Sequence, residues 1–414
     1  MIELDLAEAA RERFDFAAAE GRYRRALELL AVREVALRMV ALRGRGLVRM
    51  RVGRGAEALT DLVAATALAQ ELGDGEAQVG LLLEQATARD WNNDAPGAAR
   101  LVAEAEAQAR AAAPSKVVQA GLLLGRGRAQ FREGLWAEAW STLQEAVVAA
   151  ERLGSAGFEP LLVSLILLEV LLPYLGRTPE AEAAAERAVS LARGRGDKLH
   201  LASALNNRRN LQVARKDLAA ALADQRTFRE IGREHGLSLN EYFAEYNLGE
   251  LHYQAGELSL ARPFAARAVT FEQWMPSIAP RPTARLLQAR VAAFAGLDGE
   301  ARPLLIQVEA KVEQARAGNR PEGLLLPSEQ VLATMVDLAT RDATEAEWDA
   351  LVQRSTRDSI EQEPIEVLEL RALSLHRRGQ TEAARRGFDE ALALAARIPN
   401  LLEGRILQAR ALVG

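Results

Sequence analysis

One frame of small residues recurs along almost the whole chain, and it constrains the fold more than any other feature. In the stretch LGELHYQAGELSLARPFAARA, Leu248 to Ala268, Gly249 lies seven residues before Gly256, Ala261 five after it and Ala268 seven after that. The same spacing returns as Gly46, Gly53, Ala58 and Ala65, as Gly127, Gly134, Ala139 and Ala146, and as Ala372, Gly379, Ala384 and Ala391. Less complete copies turn at Phe14, Asn93, Gly176, Lys216 and Gly296. Successive turns from Phe14 to Gly296 therefore stand 39, 40, 41, 42, 40, 40 and 40 residues apart. The gap of 83 residues from Gly296 to Gly379 leaves room for one degraded copy around 332–353. A fixed period of this length is the mark of a tandem array of supersecondary units, each too small to bury its apolar face alone.

The small residues say what the unit is. Two antiparallel helices joined by a short turn approach closely only where side chains are small, so Gly or Ala on the first helix faces Ala on the second. Larger residues between them, such as Leu248, Leu251, Phe264 and Val269, fill the space against neighbouring hairpins. Composition agrees: 49% of residues are hydrophobic, mostly Ala and Leu rather than β-branched or aromatic, which is helix chemistry.

This frame resembles the tetratricopeptide repeat, with its small residue, turn and two alanines, over nearly the whole chain. The period is longer than that repeat's usual one, and the closing proline is mostly missing. In this it is similar to the arrays of bacterial signal-transduction ATPases of the maltose-regulon-activator type, of kinesin light chains and of peptide-pheromone receptors. The resemblance implies an all-α, right-handed solenoid of about ten hairpins plus a C-terminal capping helix, a single array over 1–414. The segment 317–328 breaks the period and is a candidate hinge before the last repeats, 329–414. Near the end, Arg405 to Arg410 (RILQAR) almost repeats Arg285 to Arg290 (RLLQAR). It reads as a capping helix, or as the start of a further repeat in a longer ancestor.

Several classes are disfavoured. There is no cysteine, which removes disulfides, thiolate nucleophiles and Cys-type zinc sites. A net charge of −5 argues against a nucleic-acid footprint. The N-terminus, MIELDLAEAARERF, has no basic and apolar leader pattern. The apolar run 161–172 contains Glu169, stops at Pro173 and is short for a bilayer, so no membrane insertion and a cytoplasmic protein are expected. The four histidines, His200, His235, His252 and His376, share no recurrent spacing, and no catalytic or phosphate-loop motif is present. The pairs Gly44/Gly46, Gly125/Gly127 and Gly194/Gly196 read as helix packing and a helix end. An enzyme, a metal site and a cofactor are not expected.

Function is then a matter of surface. The resemblance implies that first helices line a concave face, through residues at fixed distances before each turn. That places Asn206, Asn207 and Asn210 on the face in one repeat, and Tyr246, Asn247, Glu250 and Tyr253 in the next. Asn207 and Asn247 hold the same position in adjacent hairpins. As the resemblance implies, their amides could pair with the backbone of an extended peptide; equally, they could bond a neighbouring helix and fix the stacking. Arg209, at a small-residue position, either reaches into the groove or marks a loose repeat. Upstream, Arg128, Phe131 and Arg132 offer basic and aromatic groups. The repeat turning at Gly176 offers Val163, Ile166, Leu167, Val170 and Tyr174.

A groove running from basic through apolar to amide-rich suits a protein or peptide segment with an acidic end and an apolar anchor. The expected function is a non-catalytic interaction scaffold or sensor. A small enclosed pocket near the apolar repeat would instead favour a regulatory domain for a small molecule or signalling peptide. A third reading is self-association through the loop 273–282, whose Trp274, Met275 and Ile278 are otherwise expected to tuck against the array.

Overall fold

The computed structural model describes residues 1–275, 280–358 and 362–413. It contains twenty-one α-helices and three short 3-10 turns, and no strand among the described residues. Two compact units divide the chain, Met1–Arg208 and Arg209–Gly414.

The first unit stacks five hairpins: α1 (Ile2–Glu12) with α2 (Phe16–Leu29), α3 (Val35–Arg51) with α4 (Gly55–Glu71), α5 (Gly75–Trp91) with α6 (Ala95–Ala112), α7 (Lys116–Arg132) with α8 (Trp136–Glu151), and α9 (Phe158–Leu171) with α10 (Thr178–Arg195). It ends with the first part of α11 (Lys198–Ala214). The second unit takes up the rest of α11 with α12 (Leu218–Glu234). It continues with α13 (Ser238–Gln254) and α14 (Leu258–Trp274), α15 (Thr283–Phe294) and α16 (Asp298–Ala317), α17 (Pro327–Ala339) and α18 (Glu345–Asp358), and α19 (Glu363–Arg377) and α20 (Thr381–Ala395). The last helix, α21 (Leu402–Ala411), covers α20, with Leu402 and Ile406 fully buried. The degraded repeat is therefore a true hairpin, α17–α18, and 317–328 carries the connection from α16 to it.

The turn residues read from the sequence are the ones with left-handed backbone. Phe14, Gly53, Asn93, Gly134, Gly176, Lys216, Gly256, Gly296 and Gly379 all have positive φ, between 59° and 80°. Glycine meets that requirement without a Cβ penalty. The small-residue position is equally plain at Gly127, where a Cβ would come within 2.7 Å of the Leu143 side chain on the partner helix. Ala58, Ala65, Ala139, Ala146, Ala261, Ala268, Ala384 and Ala391, the alanines of the four complete copies, are all buried. Leu248 and Leu251 pack on Ala221 and Leu222 of α12, with Phe264 against them.

Two sequence expectations are corrected. Trp274 does not tuck in; it is 78% exposed. Met275 packs beside Tyr242, while Ile278 lies outside the described residues. The apolar run is also longer than it reads, because 3-10 turns at Gly154–Gly157 and Leu172–Leu175 extend α9 at both ends. The 22-residue stretch Gly154–Leu175 is long and apolar enough to cross a membrane. Here it packs against α8 and α10, half of it buried, with Glu169 inside.

Candidate functional site

The first unit bears a half-open cavity of about 640 Å³, within the range of small-ligand sites. Its wall is built from first helices α1, α3, α5, α7 and α9 and the start of α11. The lining residues recur at fixed distances before each turn residue. Before Asn93 they are Gly80, Leu83, Glu84, Thr87, Asp90 and Trp91; before Gly134 they are Gly121, Leu124, Gly125, Arg128 and Arg132. Helical periodicity brings these positions to one face. Gly80 and Gly121 keep that wall low, Gly125 lets α7 pack on Leu83 and Val102, and Val163, Ile166 and Leu167 of α9 make the wall apolar.

Charge inside the cavity is arranged in pairs. Arg11 binds Glu8 at 2.6 Å, Arg43 binds Glu84 at 2.6 Å and Arg132 binds Asp90 at 2.7 Å. Arg51 binds Glu159, and this contact joins α3 to α9. Arg51 also donates from Nη1 to His200 Nε2 at 2.7 Å. An arginine only donates, so Nε2 accepts and His200 Nδ1 carries the proton given to Asp197. Burial raises the Asp197 carboxyl, but the His200 contacts outweigh it and hold the group below its ordinary range. Arg51 holds Glu159 low in the same way. Burial lifts Glu84 above the usual carboxylate range even with Arg43 beside it.

Arg128 is the exception. Its Nη1 donates to Thr87 Oγ1 at 2.7 Å, and it has no carboxylate partner among the described residues. Thr87 Oγ1 in turn donates to the Leu83 carbonyl at 3.0 Å. Burial, with Arg132 and Arg51 nearby, lowers the Arg128 guanidinium from its ordinary value even though Asp90 and Glu159 pull the other way.

Of the residues proposed from the sequence, Arg128, Arg132 and Ile166 line this cavity together. Phe131, Val170 and Tyr174 do not. Pro173 ends α9 one turn early, and the tighter 3-10 turn rotates Tyr174 out of the α-helical register. Tyr174 packs instead, with tilted rings, beside Trp136 and Phe131, whose ring centroids lie 4.9 Å and 6.4 Å away, in an aromatic cluster at the turn end of these hairpins.

In the second unit, the corresponding face is filled by the protein's own side chains. Glu250 accepts two hydrogen bonds from Arg290, each 3.2 Å, and Arg290 also pairs with Glu366 at 2.8 Å. Arg290 outweighs burial and keeps Glu250 below its usual range. Tyr253 is wholly buried and its hydroxyl donates to Glu366. Arg405 of α21 is bidentate to Glu369, at 2.9 and 2.6 Å, donates to the Tyr253 carbonyl at 2.9 Å and lies 4.4 Å over the Tyr253 ring. Tyr253 and Glu250 are therefore spent in this network. Tyr246 is half-buried against core residues, and burial raises its hydroxyl far above the ordinary value.

The asparagines separate. Asn247 is buried; its Nδ2 donates to Gln225 at 3.0 Å and its Oδ1 accepts from Arg209 at 2.7 Å. Arg209 also donates to Asn210 at 2.9 Å, and Asn210 is otherwise exposed. Asn206 and Asn207 are half-buried. Glu84, Thr87, Arg51, Glu159 and His200 were missed from the sequence. For Thr87 and Arg51 the signal existed: they hold the same places before Asn93 and Gly53 that Arg128 and Arg132 hold before Gly134, while Glu84 holds the place of Gly125. Glu159 and His200 lie before the start of the repeat frame, and nothing in the spacing marks them.

No family model and no curated protein sequence matches this chain. Solved structures do. The Rap protein complexed with competence and sporulation factor is similar over 92% of this chain and 99% of its own, with a TM-score of 0.62 at 12% identity. NprR in complex with its cognate peptide NprX is similar over 84% of this chain and 98% of its own, at a TM-score of 0.50 and 13% identity. A signal transduction ATPase with numerous domains and a tetratricopeptide repeat sensor, from Pyrococcus horikoshii, matches 91% of this chain with 55% of its own, at a TM-score of 0.54 and 13% identity. At such identities the likeness establishes the fold, a helical-repeat array of tetratricopeptide kind.

Proposed function

We propose that this chain is a cytoplasmic, non-catalytic sensor that takes a short peptide into the cavity of its first unit. The observation that carries the reading is the contrast between the two units. The same repeat positions leave a cavity of about 640 Å³ in the first and are occupied by Arg290, Glu250, Glu366, Tyr253 and Arg405 in the second. An open volume with apolar walls and a few aimed polar groups suits a small ligand better than a folded partner. Two structures with a similar fold, the Rap protein and NprR, are described in complex with a factor and with a cognate peptide, which supports a peptide over other small ligands.

Gly121 gives the test. It lies in α7 on the cavity wall, and a Cβ there would meet only Leu83, at an ordinary 3.4 Å. Gly121→Trp fills the cavity while replacing a poor helix former, so the fold is retained. Wild type isolated from its own cells carries a peptide-sized species by native mass spectrometry, and Gly121→Trp does not. Equal loading of both proteins would place the ligand elsewhere.

A further inference from the structure

We infer that the cavity reads a single carboxylate on its ligand, and that Arg128, held in place by Thr87, is the group that receives it. The inference rests on the peptide reading above and deepens it. It comes from matching the charges on the wall. Arg11, Arg43, Arg51 and Arg132 each have a carboxylate, in Glu8, Glu84, Glu159 and Asp90, and each of those carboxylates has its arginine. Arg128 is left over, with a hydroxyl as its partner. Asp90 and Glu159 act on Arg128 from nearby but are bonded to Arg132 and Arg51, so the guanidinium has no carboxylate of its own, and a ligand carboxylate would supply one in place of water.

The fork geometry favours the same group. Nη1 is engaged by Thr87, so the rest of the planar guanidinium can meet a carboxylate side-on. Thr87 gives its own proton to the Leu83 carbonyl, so towards Arg128 it can only accept. It is a positioning residue.

The carboxylate could be a peptide's C-terminus or an Asp or Glu side chain. Three pools of short random peptides separate these sources: free C-termini without Asp or Glu, amidated C-termini with Asp and Glu, and amidated C-termini without either. Each pool is equilibrated with the full chain, and retained peptides are identified by mass spectrometry after gel filtration. The first or second pool yields retained peptides and the third none; which of the two yields names the source. Arg128→Met, confirmed folded by circular dichroism, lowers their affinity by about ten- to a hundredfold, while Arg128→Lys recovers part of it. Thr87→Val, which leaves Arg128 in place but unheld, weakens the same peptides and no others. Retention from the third pool equal to the others, or an unchanged affinity in Arg128→Met, overturns the inference while leaving peptide binding intact. Retention from no pool overturns peptide binding itself, and the inference with it.

Discussion

Asn207 and Asn247 hold equivalent places in adjacent repeats, yet their surroundings give them different work. Asn247 sits between Gln225 and Arg209, both within hydrogen-bond distance, and is buried. Removing its amide leaves those partners unsatisfied, so Asn247→Ala costs about 1–3 kcal/mol of stability. Asn207→Ala, at a half-buried position where no hydrogen bond of Asn207 is seen among the described residues, changes stability by no more than about 0.5 kcal/mol. Urea unfolding of the two single variants checks this; equal losses would mean that Asn207 is part of the stack as well. Residue type and repeat position located both asparagines on first helices. They could not separate the roles, because the difference lies in Gln225 and Arg209, partners that only the packing identifies. Arg128 was legible as a first-helix arginine, but its lack of a carboxylate was not, since Asp90 stands near and is taken by Arg132.

At the scale of elements, the turns were the most legible feature. Every residue read as a hairpin turn has left-handed φ, whether glycine, asparagine, lysine or phenylalanine. The backbone there is dictated by the need to reverse the chain between two closely packed helices, and the small-residue spacing reports it. Gly134 isolates the effect: φ is 77° and a Cβ would touch nothing. Gly134→Ala therefore destabilises by about 1 kcal/mol through backbone strain alone, net of the entropy it removes from the unfolded chain. A drop in the thermal midpoint with unchanged helicity would bear this out; no change would mean the turn relaxes. What the repeat frame could not convey was the end of α9. A proline inside an apolar helix shifts the register of everything after it, and so Tyr174, counted as a wall residue, joins Trp136 and Phe131 instead.

Across the whole molecule, ten hairpins written in one frame carry two different interiors. In the second unit, α21 brings Arg405 to Glu369 and to the Tyr253 carbonyl, so helices far apart in sequence meet over a buried ionic network. In the first unit, Arg51 reaches Glu159 and His200 around a space that stays open. The sequence conveyed the array and its period, because these follow from local spacing. It could not convey which stretch of the face stays open, because that depends on pairs such as Arg290 with Glu366, separated by two repeats. On this reading the ligand enters the first unit. The most direct measurement is photo-cross-linking in the source cells, with a photoreactive phenylalanine analogue at Leu167 of the cavity wall or at Tyr246 of the second unit. A low-mass peptide adduct is expected at Leu167 and none at Tyr246; an adduct at Tyr246 with none at Leu167 would place the ligand in the second unit instead.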